Sequence, residues 1–137
     1  MINDLKTITI LFRAQHAIER YIRSDIERYG LNTTEFGVLE VLYHKGALPV
    51  KTILEKILIA PSSLSYVLGR LEKKAFITKT KQKSDNRSYL VALTEKGKSM
   101  FSDIYEEHRI RMRNKLNVLS HADEMALRTL LKKLGKQ

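Results

Sequence analysis

Between Arg70 and Lys98 the chain carries nine basic and three acidic side chains, a local net charge of +6 out of the +10 of all 137 residues. Such a block suits a polyanion, because each phosphate it neutralises releases condensed counterions. Its members lie among turn-forming and strand-like residues rather than along one long amphipathic helix, which argues against a membrane surface as partner. Just upstream stands a second chemistry: Ser62, Ser63, Ser65, Tyr66 and Arg70, interleaved with apolar Leu64, Val67, Leu68 and Leu71. Short hydroxyls permit close approach and bond to bases or phosphates, and an arginine takes guanine O6 and N7 as a bidentate pair. The plainer reading of the serines is that they begin a helix well.

Other chemistries find less support. Four histidines (His16, His44, His108, His121) are scattered, and the chain has no phosphate-binding loop, dinucleotide glycine motif, zinc-protease helix or nucleophile elbow. No enzyme and no cofactor are expected. Glu40 and His44 are four apart and share a helix face, a pair capable of ligating zinc. The plainer reading of His44 is a helix-end residue favoured by the dipole. With no cysteine, a disulfide scaffold, thiolate metal sites and thiol redox sensing are excluded. The length fits one domain, and neither a membrane-spanning apolar run nor a signal peptide is evident, so a cytoplasmic protein is expected.

The elements that must position these groups are legible from periodicity. Leu5, Ile8, Leu11, Phe12, Ile18, Tyr21, Ile22 and Ile26 predict a helix over 5–28, stopped by Gly30. Its apolar face is long for a small monomer and hints at a partner. Asn32 and Glu35 have the spacing of a capping box and predict a helix over 33–44, ended by Gly46. Pro49 is expected to open a short helix, and Pro61 a longer one reaching Lys74. Period-two alternation over 76–81 and 88–93 predicts a hairpin around a polar tip, Gln82–Arg87. Helical spacing resumes from Thr94 to about Leu119, and Ser120 is the expected cap of a last helix.

Helix, short helix, helix and hairpin is the order of a winged helix-turn-helix: mainly α with a small β-hairpin wing (α+β). The second helix of the pair enters the major groove, which gives Ser62, Ser63, Ser65, Tyr66 and Arg70 their expected role. The hairpin tip would hold Lys81, Lys83, Asp85 and Arg87. A narrow minor groove concentrates negative potential and attracts one inserted arginine. Asp85 would then orient Arg87 by a charge-assisted bond; the plainer reading is a turn residue beside an exposed arginine. Lys79, Lys81 and Lys83 would hold phosphates, setting register without specificity.

Asp85-Asn-Arg87-Ser-Tyr-Leu-Val-Ala-Leu93-Thr94-Glu-Lys-Gly97 resembles the wing signature of the MarR family, a D-x-R followed by a strand and L-T-x-x-G. Leu31-Asn-Thr-Thr-Glu-Phe36-Gly-Val-Leu39 resembles the start of that family's second helix, and Arg70-Leu-Glu-Lys-Lys74 the end of its recognition helix. The likeness covers almost the whole chain. It implies a homodimeric bacterial transcription regulator, usually a repressor released from double-stranded DNA by a small ligand or oxidant. Residues 32–97 would form the DNA-binding part, and 1–30 and 98–137 the dimerisation helices of a single domain. Two recognition helices about 34 Å apart would meet a pseudo-palindromic operator.

Leu42-Tyr-His-Lys-Gly46, Leu48-Pro-Val50, Ile57-Leu-Ile-Ala60 and Ser65-Tyr-Val67 are similar to the branch of these repressors that responds to quinones and catechols. That similarity implies a small aromatic or phenolic effector. By the same resemblance its pocket would lie between the dimer helices and the winged part, with His16, Tyr21 and Tyr43 as candidates. Zinc-responsive members use a second-helix histidine with fifth-helix histidines; His108 resembles one of the latter, while Met112 stands where another would be needed. Two departures stand out. Ala75 replaces the usual glycine at the end of the recognition helix, and alanine tolerates a left-handed conformation poorly, so a different wing angle is expected. Pro61 is also untypical. A protein-binding adaptor, which needs no basic hairpin, and an RNA-binding module, which needs exposed aromatic platforms, remain the readings outside DNA regulation.

Overall fold

Six helices and three strands follow one another in the computed structural model, which describes residues 4–57, 61–82 and 85–136, with backbone alone at 61 and 85–87. The order is α1 (Lys6–Glu27), α2 (Thr33–Lys45), β1 (Leu48–Pro49), α3 (Val50–Ile57), α4 (Pro61–Lys73), β2 (Ile77–Gln82), β3 (Asp85–Leu93), α5 (Glu95–Leu116) and α6 (His121–Gly135). The chain forms two compact bodies, Met1–Ile104 and Tyr105–Gln137, and the division falls inside α5.

Local signals set the helix ends. Asn32 Oδ1 accepts from the Glu35 N–H at 2.8 Å, and Glu35 Oε1 accepts from the Asn32 N–H at 3.1 Å, which closes the expected capping box of α2. Ser120 Oγ accepts from the Asp123 N–H at 3.1 Å and caps α6 as expected. Gly30 and Gly46, at φ +72° and +79°, follow α1 and α2.

The core of the first body lies between α2, α3, α4 and the sheet. Phe36, Leu39, Leu42, Ile53, Leu64, Leu68, Leu71, Ile77, Val91 and Phe101 are buried there. Phe101 of α5 anchors it, with ring centroids 5.1 Å from Phe36 and 5.3 Å from Tyr43. The other end of the first body is different. Leu5, just before α1, and Ile8, Ile10, Phe12 and Ile18 along it are exposed, and among the residues of α1 only Asp25 and Ile26 are buried.

Three sequence expectations need correction. Leu48–Pro49 is a strand, and α3 begins at Val50, not at Pro49. β1 pairs antiparallel with β3 (Leu48 opposite Val91, Pro49 opposite Leu90), so the wing is a three-stranded sheet of order β1-β3-β2 and not a lone hairpin. Pro49 fits an edge strand because it has no N–H to donate; two residues are too few for any alternation to show. The hairpin also continues further than its period-two pattern: Gln82 belongs to β2 and Asp85–Arg87 to β3, with Gln82 opposite Asp85. Asp85 and Arg87 are therefore strand residues. An irregularity in register between Lys81 and Gln82 accommodates them, and it breaks the alternation that would have revealed the strand.

Ala75 also departs from expectation. It adopts the left-handed conformation outright, at φ +65°. The end of α4 is a Schellman motif, with the Phe76 N–H bonded to the Leu71 carbonyl at 3.0 Å and the Ala75 N–H to the Glu72 carbonyl at 2.9 Å. The family's usual turn is thus built without its glycine. It is held from the far end of the wing. Thr94 Oγ1 donates to the Ala75 carbonyl at 2.6 Å and accepts from the Gly97 N–H at 2.9 Å, capping α5 with the same hydroxyl. The Thr94 N–H bonds the Phe76 carbonyl at 3.0 Å. Lys96 Nζ reaches the Lys74 carbonyl at 3.2 Å and lies 5.3 Å from the centre of the Phe76 ring. A Cβ on Gly97 would overlap the Phe76 carbonyl oxygen. The Leu-Thr-x-x-Gly segment is therefore a clip: threonine ties the last strand to the end of α4, and glycine lets the two backbones close.

Candidate nucleic-acid interface

Helix α4 separates its residues cleanly. Leu64, Val67, Leu68 and Leu71 are buried, while Ser62, Ser63, Ser65, Tyr66 and Arg70 are exposed. The spacing of the four apolar residues makes one helical stripe, so the hydroxyls, the phenol and the guanidinium face outward together. Tyr66, at 66% exposure, is the largest side chain on that face. Arg70 leans on it, its guanidinium carbon 5.8 Å from the ring centre.

Arg70 also reaches inward. Its Nε lies 3.8 Å from Glu35 Oε2, and Lys74 Nζ lies 3.2 Å from the same oxygen. The Glu35 side chain is 2% exposed, against 44% for Arg70 and 35% for Lys74. Hydrogen bonding to Tyr66, and then the Glu35 charge, raise the pKa of Arg70 above its ordinary value. A carboxylate in the core costs several kcal/mol unless paired, roughly; here two cations and the N-terminal turn of α2 compensate it. Sequence reasoning saw Glu35 only as a capping residue. Its second role joins residues 39 apart in the chain, for which no local pattern exists.

The wing supplies the rest. Lys81 is exposed, whereas Lys79 is half-buried with its Nζ 5.1 Å from the centre of the Tyr89 ring. Between α3, α4 and the wing runs a groove of about 490 Å³, into which Lys51, Ser65, Lys79, Ser88 and Tyr89 open. Lys83 lies outside the described residues, and so do the side chains of Asp85 and Arg87; the expected orientation of Arg87 by Asp85 falls there.

The other candidates are dispersed. Tyr43 is half-buried against Phe101 and His44, while His16 and Tyr21 are on exposed positions of α1. Glu40 is half-buried and His44 exposed on α2; His108 is buried in the second body. Among the described residues no three histidine, aspartate or glutamate side chains gather where they would hold a metal ion. No helix among them is long and apolar enough to cross a membrane.

Residues 20–104 match the model of a protein family described as transcriptional regulator SarA/Rot. The chain belongs to that family. The match ends where the first compact body ends. Over 132 residues this regulator is 37% identical to the HTH-type transcriptional regulator MhqR of Bacillus subtilis, covering 96% of this chain and 91% of that one. The crystal structure of transcriptional regulator PA4135 superposes with a TM-score of 0.82 at 25% identity, over 95% of each chain. AbsC, a MarR family transcriptional regulator from Streptomyces coelicolor, gives 0.87 at 18% identity over 99% of this chain and 95% of that one, a likeness of fold alone. The resemblance carried by the wing and helix motifs is borne out: this is a winged-helix, DNA-binding transcriptional regulator of the MarR type, and not an enzyme.

Proposed function

We propose that the regulator is a homodimeric repressor that reads a pseudo-palindromic operator and leaves it when a small aromatic or phenolic effector binds. The observation that carries this reading is the solvent face of α4: five polar side chains over a continuous buried stripe, beside the most basic stretch of the chain. In this reading Ser62, Ser63, Ser65, Tyr66 and Arg70 meet the major groove, Lys79, Lys81 and Lys83 hold phosphates, and Asp85 and Arg87 bring the wing to the minor groove. Residues 32–97 read DNA, while 1–30 and 98–137 pair the protomers. The exposed apolar residues of α1 and of α6 support that pairing, since each is a hydrophobic surface presented to water. An effector acts only through its preference for one dimer geometry over another; His16, Tyr21 and Tyr43 are its proposed contacts.

A salt series tests the DNA reading. The protein and its Arg87→Ala variant are titrated onto the duplex upstream of its own coding sequence and onto a scrambled permutation. The upstream duplex should bind more tightly by orders of magnitude, and Arg87→Ala should cost about 1–3 kcal/mol. Equal binding of both duplexes, with one steep salt slope, would remove sequence-specific repression at that site. Catechol or a simple quinone added to the specific complex then tests release.

A further inference from the structure

Glu35 is a poor choice for a residue needed only as a helix cap. Exposed capping glutamates serve as well, and this one is buried at 1% exposure. Its two carboxylate oxygens divide their work. Oε1 accepts from the Asn32 N–H, and Oε2 meets Lys74 and Arg70 on α4. Arg70 is thus held between a buried carboxylate behind it and the Tyr66 ring beside it. A free arginine side chain loses substantial rotamer entropy when it docks. One already held in place loses less, and gains affinity for the geometry it is held in.

We propose that Glu35 is a positioning residue for operator recognition, acting through Arg70 to raise discrimination between DNA sequences. The inference rests on the reading of α4 as the DNA-reading helix. It makes a prediction of unusual sign. Glu35 is an anion beneath a DNA-binding face, so removing its charge raises affinity for any duplex by electrostatics alone. If it positions Arg70, the same change lowers the advantage of the right duplex over the wrong one.

The test uses the full chain and a duplex enriched from a randomised pool by the wild-type protein, with its scrambled permutation as reference. Glu35→Gln keeps an acceptor for the cap of α2, loses the charge, and puts an amide N–H₂ where Oε2 accepted from Lys74. Its discrimination ratio should fall about tenfold, a good fraction of one bidentate base contact, while binding to the scrambled duplex is unchanged or tighter. On an Arg70→Ala background the same substitution should change the ratio no further, since the two residues act as one. Glu35→Asp, which keeps the charge and withdraws it by one methylene, serves if Glu35→Gln does not fold; it too should lose discrimination without losing scrambled binding. A ratio kept within about twofold in either folded variant overturns the inference, and so does a further loss on the Arg70→Ala background. If Arg70→Ala itself leaves discrimination intact, the assignment of base reading to Arg70 fails first, and the role of Glu35 goes with it.

Discussion

Helices α4 and α6 are nearly the same length, 13 and 15 residues, and they treat solvent in opposite ways. The first buries leucine and valine and shows serine, tyrosine and arginine. The second leaves Leu127, Leu130, Leu131 and Leu134 exposed, and among its described residues only Glu124 is buried. A helix whose outward face is polar is finished as a folded object and presents chemistry to a polar partner. A helix whose outward face is leucine has apolar area still to be removed from water, at about 25 cal/mol per Å². The contrast supports the partners proposed for them: nucleic acid for the first surface and a second protomer for the other.

Their fastenings differ as well. The end of α4 is clipped by backbone and threonine hydrogen bonds to the wing. Within the second body, α5 and α6 are joined by Glu124, which accepts from Arg113 and, at 3.0 Å, from Arg128. The clip to the wing uses carbonyl acceptors, with a lysine ammonium among the donors and no carboxylate; the second fastening is an ion-pair cluster.

The largest effect is expected at the clip. Gly97→Ala forces a methyl group into the Phe76 carbonyl and should destabilise the fold by about 3 kcal/mol or more, read as a lowered urea midpoint. An unchanged midpoint would mean that α5 and the end of α4 approach less closely than the clip requires. Next is the apolar face. Leu130→Glu with Leu134→Glu should leave each chain folded by circular dichroism but reduce the sedimenting species to one chain. Binding to a two-half-site duplex should fall about a hundredfold or more, as the paired attachment is lost. A variant that still sediments as a dimer would take α6 out of the comparison.

A smaller and opposite effect is expected at Ala75. Glycine there relieves the left-handed strain and should raise stability by about 1 kcal/mol, less the entropy glycine adds to the unfolded chain. A destabilised Ala75→Gly would show that the clip fully compensates the strain. The least effect belongs to the ion-pair cluster, through pH. Hydrogen bonds from Arg113, with the charges of Arg113 and Arg128, hold Glu124 below the ordinary glutamate value of 4.5. A carboxyl lowered on folding contributes its full stability above that ordinary value and loses it as pH falls through the lowered one. Glu124→Gln should therefore melt below the wild type at neutral pH, and the gap should close in strong acid. A gap that persists there would assign the difference to packing.

Residues within one helical turn, or within one alternating run, made most of this protein legible from its sequence. Asn32 with Glu35, Ser120 with Asp123, the stops at Gly30 and Gly46, and the apolar stripe of α4 are all local, and each is set by the hydrogen-bonding and burial demands of a few neighbouring residues. The same locality brought out the winged order of elements and the polar face of α4. What the tertiary structure alone decided joins residues far apart in the chain. β1 exists because β3 offers it an edge. Ala75 turns left-handed without glycine because Thr94 and the wing hold its carbonyl. Glu35 is buried, and tied to Arg70 and Lys74, because folding brings the start of α2 against the end of α4. Sequence periodicity records which face of an element avoids water; it carries no record of which distant partner that face will meet.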